Sequence, residues 1–301
     1  MYAIIGATGN TGGVIAEKLL AAGQKVRAIG RNAARLAPLV QKGAEPFVAD
    51  VTDAEALAKA FAGANAVYVM IPPNLASPDV AAYQERVSDA ASAAISKAGV
   101  EYAVLLSSVG GDKSDRTGPV VGLHNFEQKL SAVGPLKALF VRAGYFMENV
   151  LPQAGVIRQF GSAAGPLRGD LSIPMIASRD IGDYAAKALL RLDFSGKAAK
   201  ELLGQRDLNY NEATKIIGDA IGKPGLAYMQ APRAQLKPVL MQMGMSESQA
   251  SLLLEMSDAL NSGYMAALEP RSAANTTPTS FEQFVADVFV PLFKGKGAGA
   301  E

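Results

Sequence analysis

Three glycines within the first dozen residues constrain this chain more than any other feature. Gly6, Gly9 and Gly12 stand in the spacing GxxGxxG inside "MYAIIGATGNTGGVIAEKLL", directly after the apolar run Tyr2–Ile5 and directly before an amphipathic segment. A joint of this kind between strand and helix needs three things. One residue must take unusual backbone angles, one must let the main chain approach a bound group, and one must let helix and strand pack closely. The helix start then offers free N–H groups and the positive end of its dipole to an anion, and Thr8, Asn10 and Thr11 stand beside it. In a chain with 30 glycines the triplet alone is weak, and its place at the first strand-to-helix turn is what gives it weight. The competing reading is a tight turn without a ligand.

The residues that follow keep a regular beat. Apolar β-type runs occur at Tyr2–Ile5, Lys25–Ile29, Glu45–Val48, Ala66–Ile71, Tyr102–Leu106 and Lys137–Val141. Helical patterns lie between them at Thr11–Ala22, Ala33–Lys42, Ala54–Ala62, Val80–Ala98 and Val120–Val133. Alternation of this kind predicts an α/β fold, a doubly wound parallel Rossmann sheet in the order 3-2-1-4-5-6 with helices on both faces. After about Phe146 the beat changes, and helical patterns dominate at Asp180–Leu192, Tyr210–Ala220, Arg233–Met243, Glu247–Asn261 and Phe281–Phe293. The expected division is a nucleotide-binding domain over 1–150 and a smaller, mostly helical C-terminal lobe over 151–301, some of whose segments return to the first domain. Glu201–Leu203 and Leu226–Gln230 are candidates for an added strand or small sheet, and the tail Lys294–Glu301 is expected to fray.

Composition narrows the function. A net charge of +1 gives no electrostatic footprint for nucleic acid or an acidic membrane. With no cysteine and a single histidine, His124, thiolate chemistry is excluded and histidine-rich metal sites are too, so no metal is expected. No apolar stretch approaches the roughly 18–20 residues of a membrane span. The five residues ahead of the glycines are too short for a secretory leader. The expectation is a soluble cytoplasmic protein, monomer or homodimer, that handles a small molecule.

The end of the second strand reads which dinucleotide would sit on the glycine turn. An acid there, about 20 residues past the glycines, holds the ribose 2′-hydroxyl of NAD. This chain has Arg31 in "RAIGRN", a guanidinium suited to a 2′-phosphate. One charge-assisted hydrogen bond of about 1.5–3 kcal/mol gives roughly ten- to hundredfold preference for NADP(H). The alternative is an arginine that merely faces water. Asp50 and Val51 follow the third strand; Asp50 either accepts from the adenine amino group or, with Thr52, caps the next helix. Ile71 and Pro72, in "VMIPP", end the fourth strand where the chain must skirt the cofactor.

"GATGNTG", "GRN", "LLSSVGG", "GLHNFEQKLSAVG", "FVRAGYFMENVL" and the late "TPTSFEQFV" resemble the NmrA-like branch of atypical short-chain dehydrogenases. The resemblance implies a Rossmann domain with a small helical lobe and NADP(H) as cofactor. It implies one of two activities: an NADPH-dependent reductase of a quinone or related acceptor, or a catalytically silent NADP(H) sensor that reports redox state to a protein partner.

The residues themselves bear on that choice. Reducing short-chain dehydrogenases pair a tyrosine with a lysine four residues later, and no tyrosine here has one; Tyr184 and Lys187 are three apart. On the corresponding helix stands His124, the candidate catalytic residue. It is placed to donate to a reduced acceptor, to hold the nicotinamide ribose, or only to face water. Aligned on Glu127 and Gly134, the lysine of some relatives falls at Leu123 instead. Ser107 and Ser108 end the fifth strand, where a hydroxyl bonds a carbonyl or the nicotinamide amide, or serves the turn. Tyr145 and Phe146 follow the sixth strand and either wall an apolar acceptor pocket beside the nicotinamide or are ordinary core. The methionine-rich "VLMQMGMSESQASLLLEM" reads as a flexible lid or as core. Hydride transfer asks little of the protein beyond alignment, so the missing tyrosine matters less for a quinone than for a ketone.

Overall fold

The structure, a computed structural model, describes residues 1–295; the predicted tail lies outside the described residues from position 296 on. Six strands alternate with helices through its first half: β1 (Tyr2–Ile5), β2 (Val26–Gly30), β3 (Glu45–Val48), β4 (Ala66–Val69), β5 (Tyr102–Ser108) and β6 (Lys137–Ala143). Short strands β7 (Tyr145–Phe146), β8 (Ala163–Gly165) and β9 (Ile173–Ile176) follow, then β10 (Lys197–Leu202), β11 (Asp207–Leu208) and β12 (Tyr228–Gln230). The central sheet runs β3-β2-β1-β4-β5-β6-β10, every neighbour parallel. Its first six strands take the predicted order. The seventh is the piece anticipated at Glu201–Leu203, longer than its sequence pattern and laid against β6.

The helices of this half are α1 (Asn10–Ala21), α2 (Ala33–Gln41), α3 (Ala54–Phe61), α4 (Val80–Ala98) and α5 (Val120–Ala132). Those beyond are α6 (Gln153–Phe160), α7 (Ser178–Arg191), α8 (Tyr210–Ala220), α9 (Arg233–Gln242), α10 (Glu247–Asn261), α11 (Phe281–Phe284) and α12 (Val290–Phe293). A π-helical turn, Val285–Phe289, joins the last two just ahead of Pro291, which has no N–H to continue an α-helical ladder.

Two apolar cores sandwich the sheet. On one face α3, α4 and α5 bury Leu57, Phe61, Val87, Ile95, Phe126 and Leu130. On the other, α1 and α2 bury Ile15, Leu19, Leu36 and Leu39 beside Ile181, Ala185 and Leu189 of α7. Each such side chain contributes about 1.5–3 kcal/mol on leaving water. Strands covered on both faces explain why β1 and β4 read as unbroken apolar runs. Thus α7, although it lies in the second half of the chain, completes the layer begun by α1. A third core of Met147, Ile157, Met175, Tyr210, Ile217, Phe281, Phe284 and Phe289 gathers α6, α8, α11 and the short strands β7, β8 and β9 at the carboxyl edge of the sheet.

The methionine-rich stretch divides. Its second part, α10, buries Ala250, Leu254, Ala259 and Leu260, whereas α9 buries nothing and leaves Val239 and Met241 exposed, as is Met243 just after it. No helix among the described residues is long and apolar enough to cross a membrane.

Candidate functional site

At the first turn the glycines divide the work. Gly6 has φ +67°, in the left-handed region, and its carbonyl accepts the Gly9 N–H at 2.9 Å. Gly12 lies so close to this turn that a Cβ there would stand 2.7 Å from the Gly6 carbonyl carbon and 3.1 Å from the Ala7 nitrogen. α1 therefore starts against the turn, with Gly9 at its N-cap, no capping side chain and no acid in its first turn. Its first N–H groups have no capping side chain, the cradle arrangement that receives an anion at a helix start. The Thr11 hydroxyl and the buried Tyr68 hydroxyl bond at 2.8 Å and tie this turn to β4.

A cleft of about 430 Å³ opens over the cradle. Of the residues singled out in the sequence, Gly6, Thr8, Gly9, Asn10, Thr11, Arg31, Val51, Pro72 and Phe146 line it. So do Arg35, Ile29, Gly30, Met70, Pro73 and Leu106, which the sequence reading did not single out. Asn32 explains how the two arginines come to share this wall. Its side chain caps α2 by accepting from the Ala34 and Arg35 N–H groups, so Arg31 and Arg35 flank the cap, both exposed. The spacing "RNAAR", one helical turn, was the available signal for Arg35.

Several expected residues stand elsewhere. Gly12 packs beneath the turn. Asp50 closes a local turn, its Oδ1 accepting from the Thr52 N–H at 2.9 Å and the Thr52 hydroxyl at 2.8 Å. Those bonds, with the Arg31 charge adding to them, hold the Asp50 carboxyl below the usual carboxylate range. Neither Asp50 nor Thr52 caps α3; Asp53 does, accepting from Glu55 and Ala56. Ile71 packs on the α3–α4 core. Pro72 is held through its carbonyl, which accepts from the Tyr83 hydroxyl at 3.0 Å.

Ser107 and His124 differ most from expectation. Ser107 is 2% exposed and donates its hydroxyl to Glu127 Oε1 at 2.5 Å. The same carboxylate takes two bonds from Arg142, Nε to Oε1 at 3.0 Å and Nη2 to Oε2 at 2.6 Å. This bidentate pair is buried, the two side chains 14% and 2% exposed, and it raises the Arg142 pKa further. A hydroxyl so engaged is not offered to the cleft. His124 sits half-buried on α5 and lines neither this cleft nor the cavity described next. Its Nδ1 lies 2.9 Å from the Gly111 carbonyl oxygen. A carbonyl only accepts, so Nδ1 carries the hydrogen and the ring holds the loop after β5. No sequence signal marked Arg142 as the partner of Glu127.

A second cavity, also about 430 Å³, lies next to the first and shares the Phe146 wall with it. Ser108, Tyr145, Leu171, Ile173, Pro174, Met256, Leu260 and Met265 supply much of its mostly apolar lining. Tyr145 turns its hydroxyl to that of Tyr210, 2.9 Å away, and the Tyr210 ring lies 4.8 Å from that of Tyr228, whose hydroxyl donates to the Leu167 carbonyl. Burial pushes all three phenols up and keeps them neutral. The outer wall is the segment after α10. Glu201, 4% exposed, fastens it by accepting the Leu268 N–H at 2.9 and 3.0 Å and the Glu269 N–H at 2.9 Å. Gly110, with φ +88°, leaves the room that Met265 fills, since a Cβ there would stand 2.7 Å from the Met265 Cγ.

The sequence profile of the NmrA-like family matches residues 2–285. The NAD(P)H azoreductase of Xenophilus azovorans is 28% identical over 258 residues, 85% of this chain and 86% of that protein. Two solved structures share the fold. The NADPH-dependent quinone oxidoreductase of Escherichia coli, complexed with NADPH, superposes with a TM-score of 0.79 at 23% identity, over 95% of this chain and 99% of that one. The triphenylmethane reductase of Citrobacter sp., complexed with NADP(H), gives 0.76 at 19% identity, over 98% and 100% of the two chains.

Proposed function

The chain belongs to the NmrA-like family, and from that premise we propose that it is an NADPH-dependent oxidoreductase that reduces a small, apolar, conjugated acceptor such as a quinone. The observation that carries this reading is the pair of adjoining cavities. One is a glycine cradle flanked by two arginines, the other is apolar, and Phe146 walls both. The cradle fits a dinucleotide diphosphate because the helix packs directly against the Gly6 turn, where backbone fills the space of a Gly12 Cβ, and neither its first turn nor the lining of the cleft carries an acid.

In this reading the first-turn N–H groups hold the diphosphate, Arg31 and Arg35 take the 2′-phosphate, and Val51 and Pro72 border the nucleotide. When bound, the reduced nicotinamide supplies a hydride. The protein aligns the acceptor against Phe146 and Tyr145 and excludes water with the apolar side chains of Leu171, Ile173 and Pro174. A reduced quinone oxygen takes its proton from water, so no tyrosine–lysine pair is needed. His124, tied to Gly111, positions the loop and is not assigned the proton.

A named NAD(P)H azoreductase among the relatives, and quinone and dye reductases among proteins of the same fold, support an oxidoreductase. Oxidation of NADPH followed against quinone, azo and triphenylmethane acceptors tests it; absence of turnover across that panel refutes it. One observation favours the NADP(H)-sensing alternative: Ser107 and His124 are both engaged away from the cavities. A sensor would change partner affinity or oligomeric state between NADP⁺ and NADPH, and unchanged size-exclusion and pull-down profiles would remove that reading.

A further inference from the structure

The two cavities differ in charge as well as polarity. The nucleotide cleft carries Arg31 and Arg35 and no acid in its lining. The charged residues lining the apolar pocket are Asp207, Glu269 and Arg271, two acids and one base. That base is already engaged. The Arg271 guanidinium donates to the Gly204 and Leu203 carbonyls and pairs with the Asp207 carboxylate. Glu269 pairs with Lys200, Nζ to Oε2 at 3.2 Å. The remaining polar lining comes from Ser108, Asn149, Ser172 and Tyr145, all neutral.

Resting on the proposed reductase function, we infer that the pocket selects acceptors by charge. It takes a neutral conjugated molecule and rejects its anionic analogue, and the Asp207–Arg271 pair decides this. An anionic acceptor would leave water for a lining whose one cation is neutralised by Asp207 and tied to two carbonyls, and whose other charged residue is the carboxylate of Glu269. A charge moved from water without a partner is strongly disfavoured, whereas a neutral acceptor loses no such hydration. The neighbouring cleft provides the contrast, because there two arginines stand without a carboxylate in the same wall. The donor's phosphates and an uncharged acceptor are thereby sorted into different chambers that meet at Phe146. Both members of the deciding pair remain partly exposed, 49% and 27%, so the selection is finite and responds to salt.

The test compares 1,4-naphthoquinone with 1,4-naphthoquinone-2-sulfonate. The sulfonate withdraws electrons and makes its ring the more easily reduced, so slower turnover of it cannot come from intrinsic reactivity. For the native protein kcat/KM is expected to favour the neutral quinone by about tenfold or more at low salt, and the ratio to shrink as ionic strength rises. Asp207→Asn leaves Arg271 charged and unpaired, and moves the ratio toward the sulfonate by roughly three- to tenfold. Equal kcat/KM for both quinones in the native protein, or an unchanged ratio in Asp207→Asn, overturns the inference. Dissociation constants for both quinones with the NADP⁺-loaded protein separate it from the reductase reading. Preferential binding of the neutral quinone without turnover supports charge selection and refutes reduction. Equal binding refutes selection alone, and binding of neither refutes both.

Discussion

Replacing Gly12 by alanine tests how the first turn holds its ligand. The new Cβ would stand 2.7 Å from the Gly6 carbonyl carbon and 3.1 Å from the Ala7 nitrogen. Carbon–carbon contacts settle at about 3.5–4.0 Å, so the turn and α1 must separate by roughly 1 Å. Neither can yield freely. Ile15, Ala16 and Leu19 of α1 are fully buried against the sheet and α7, and Gly6 precedes a turn closed by the Gly9 N–H. Forcing an extra carbon into such packing costs about 1–3 kcal/mol. It also moves the N–H cradle relative to the Gly6 loop, and a misplacement of ~1 Å in a site of this kind is worth about a hundredfold. Gly13→Ala is the control. Its Cβ would meet the Ala7 carbonyl oxygen at 3.4 Å, an ordinary contact, and inside a helix alanine is favoured over glycine by about 0.5–1 kcal/mol. Calorimetric titration with NADPH and thermal unfolding should therefore separate two variants one residue apart. Gly12→Ala is expected to lower Tm and weaken NADPH by ~100-fold. Gly13→Ala is expected to hold or raise Tm and to bind within about threefold of the native protein. A Gly12→Ala protein that binds NADPH normally, or a Gly13→Ala protein damaged equally, would refute the packing argument and with it the cradle.

Three further outcomes follow from the same geometry. Arg31→Glu should weaken NADPH by roughly ten- to hundredfold while leaving NADH within a few-fold, with Arg35→Glu adding to the loss; equal losses of both cofactors in a titration would exclude a 2′-phosphate contact. Glu127→Ala leaves the Arg142 guanidinium buried without its counter-ion and should destabilise the fold by about 3–5 kcal/mol in denaturant titrations, and a change below 1 kcal/mol would show that the pair is relaxed by solvent. Burial raises the phenol pKa of Tyr68, Tyr145, Tyr210 and Tyr228 on folding, so the unfolded chain loses those protons first. Stability is then fully present below about pH 10 and falls as pH rises beyond it. Phenolate absorbance equal to that of all nine tyrosines, appearing before unfolding at the pH of free tyrosine, would contradict that sign.

The sheet was legible in the chain because central strands such as β1 and β4 are covered on both faces and apolar throughout, whereas the edge strands β3 and β10 leave residues exposed and carry weaker patterns. The glycine turn was legible because left-handed backbone and close helix approach admit few other residues. Arg31 stood out for the same local reason, being fixed in register by the end of β2. Ser107 and His124 illustrate what position alone cannot carry. Ser107 ends β5 and His124 stands on α5, positions that suit functional groups, yet the ownership of a hydroxyl or an imidazole depends on which partner is nearest in space. For Ser107 that partner is Glu127, 20 residues away, held in turn by Arg142 from the next strand.

By itself the sequence determined the alternation of strands and helices, the order of the first six strands and the glycine bend between β1 and α1. Each of these follows from periodicity, backbone sterics or connection handedness within one short stretch. Only the tertiary structure decided that β10 and α7 return to the sheet, that Arg142 and Glu127 neutralise each other in its interior, and that Asp207 pairs with Arg271 in the wall of the apolar cavity. Those pairings join residues distant in sequence, as where Lys18 of α1 meets Asp183 of α7, or Asp207 meets Arg271, 64 positions on. They form because a charge or a polar group leaving water must find a partner, and folding alone determines which partner is within reach.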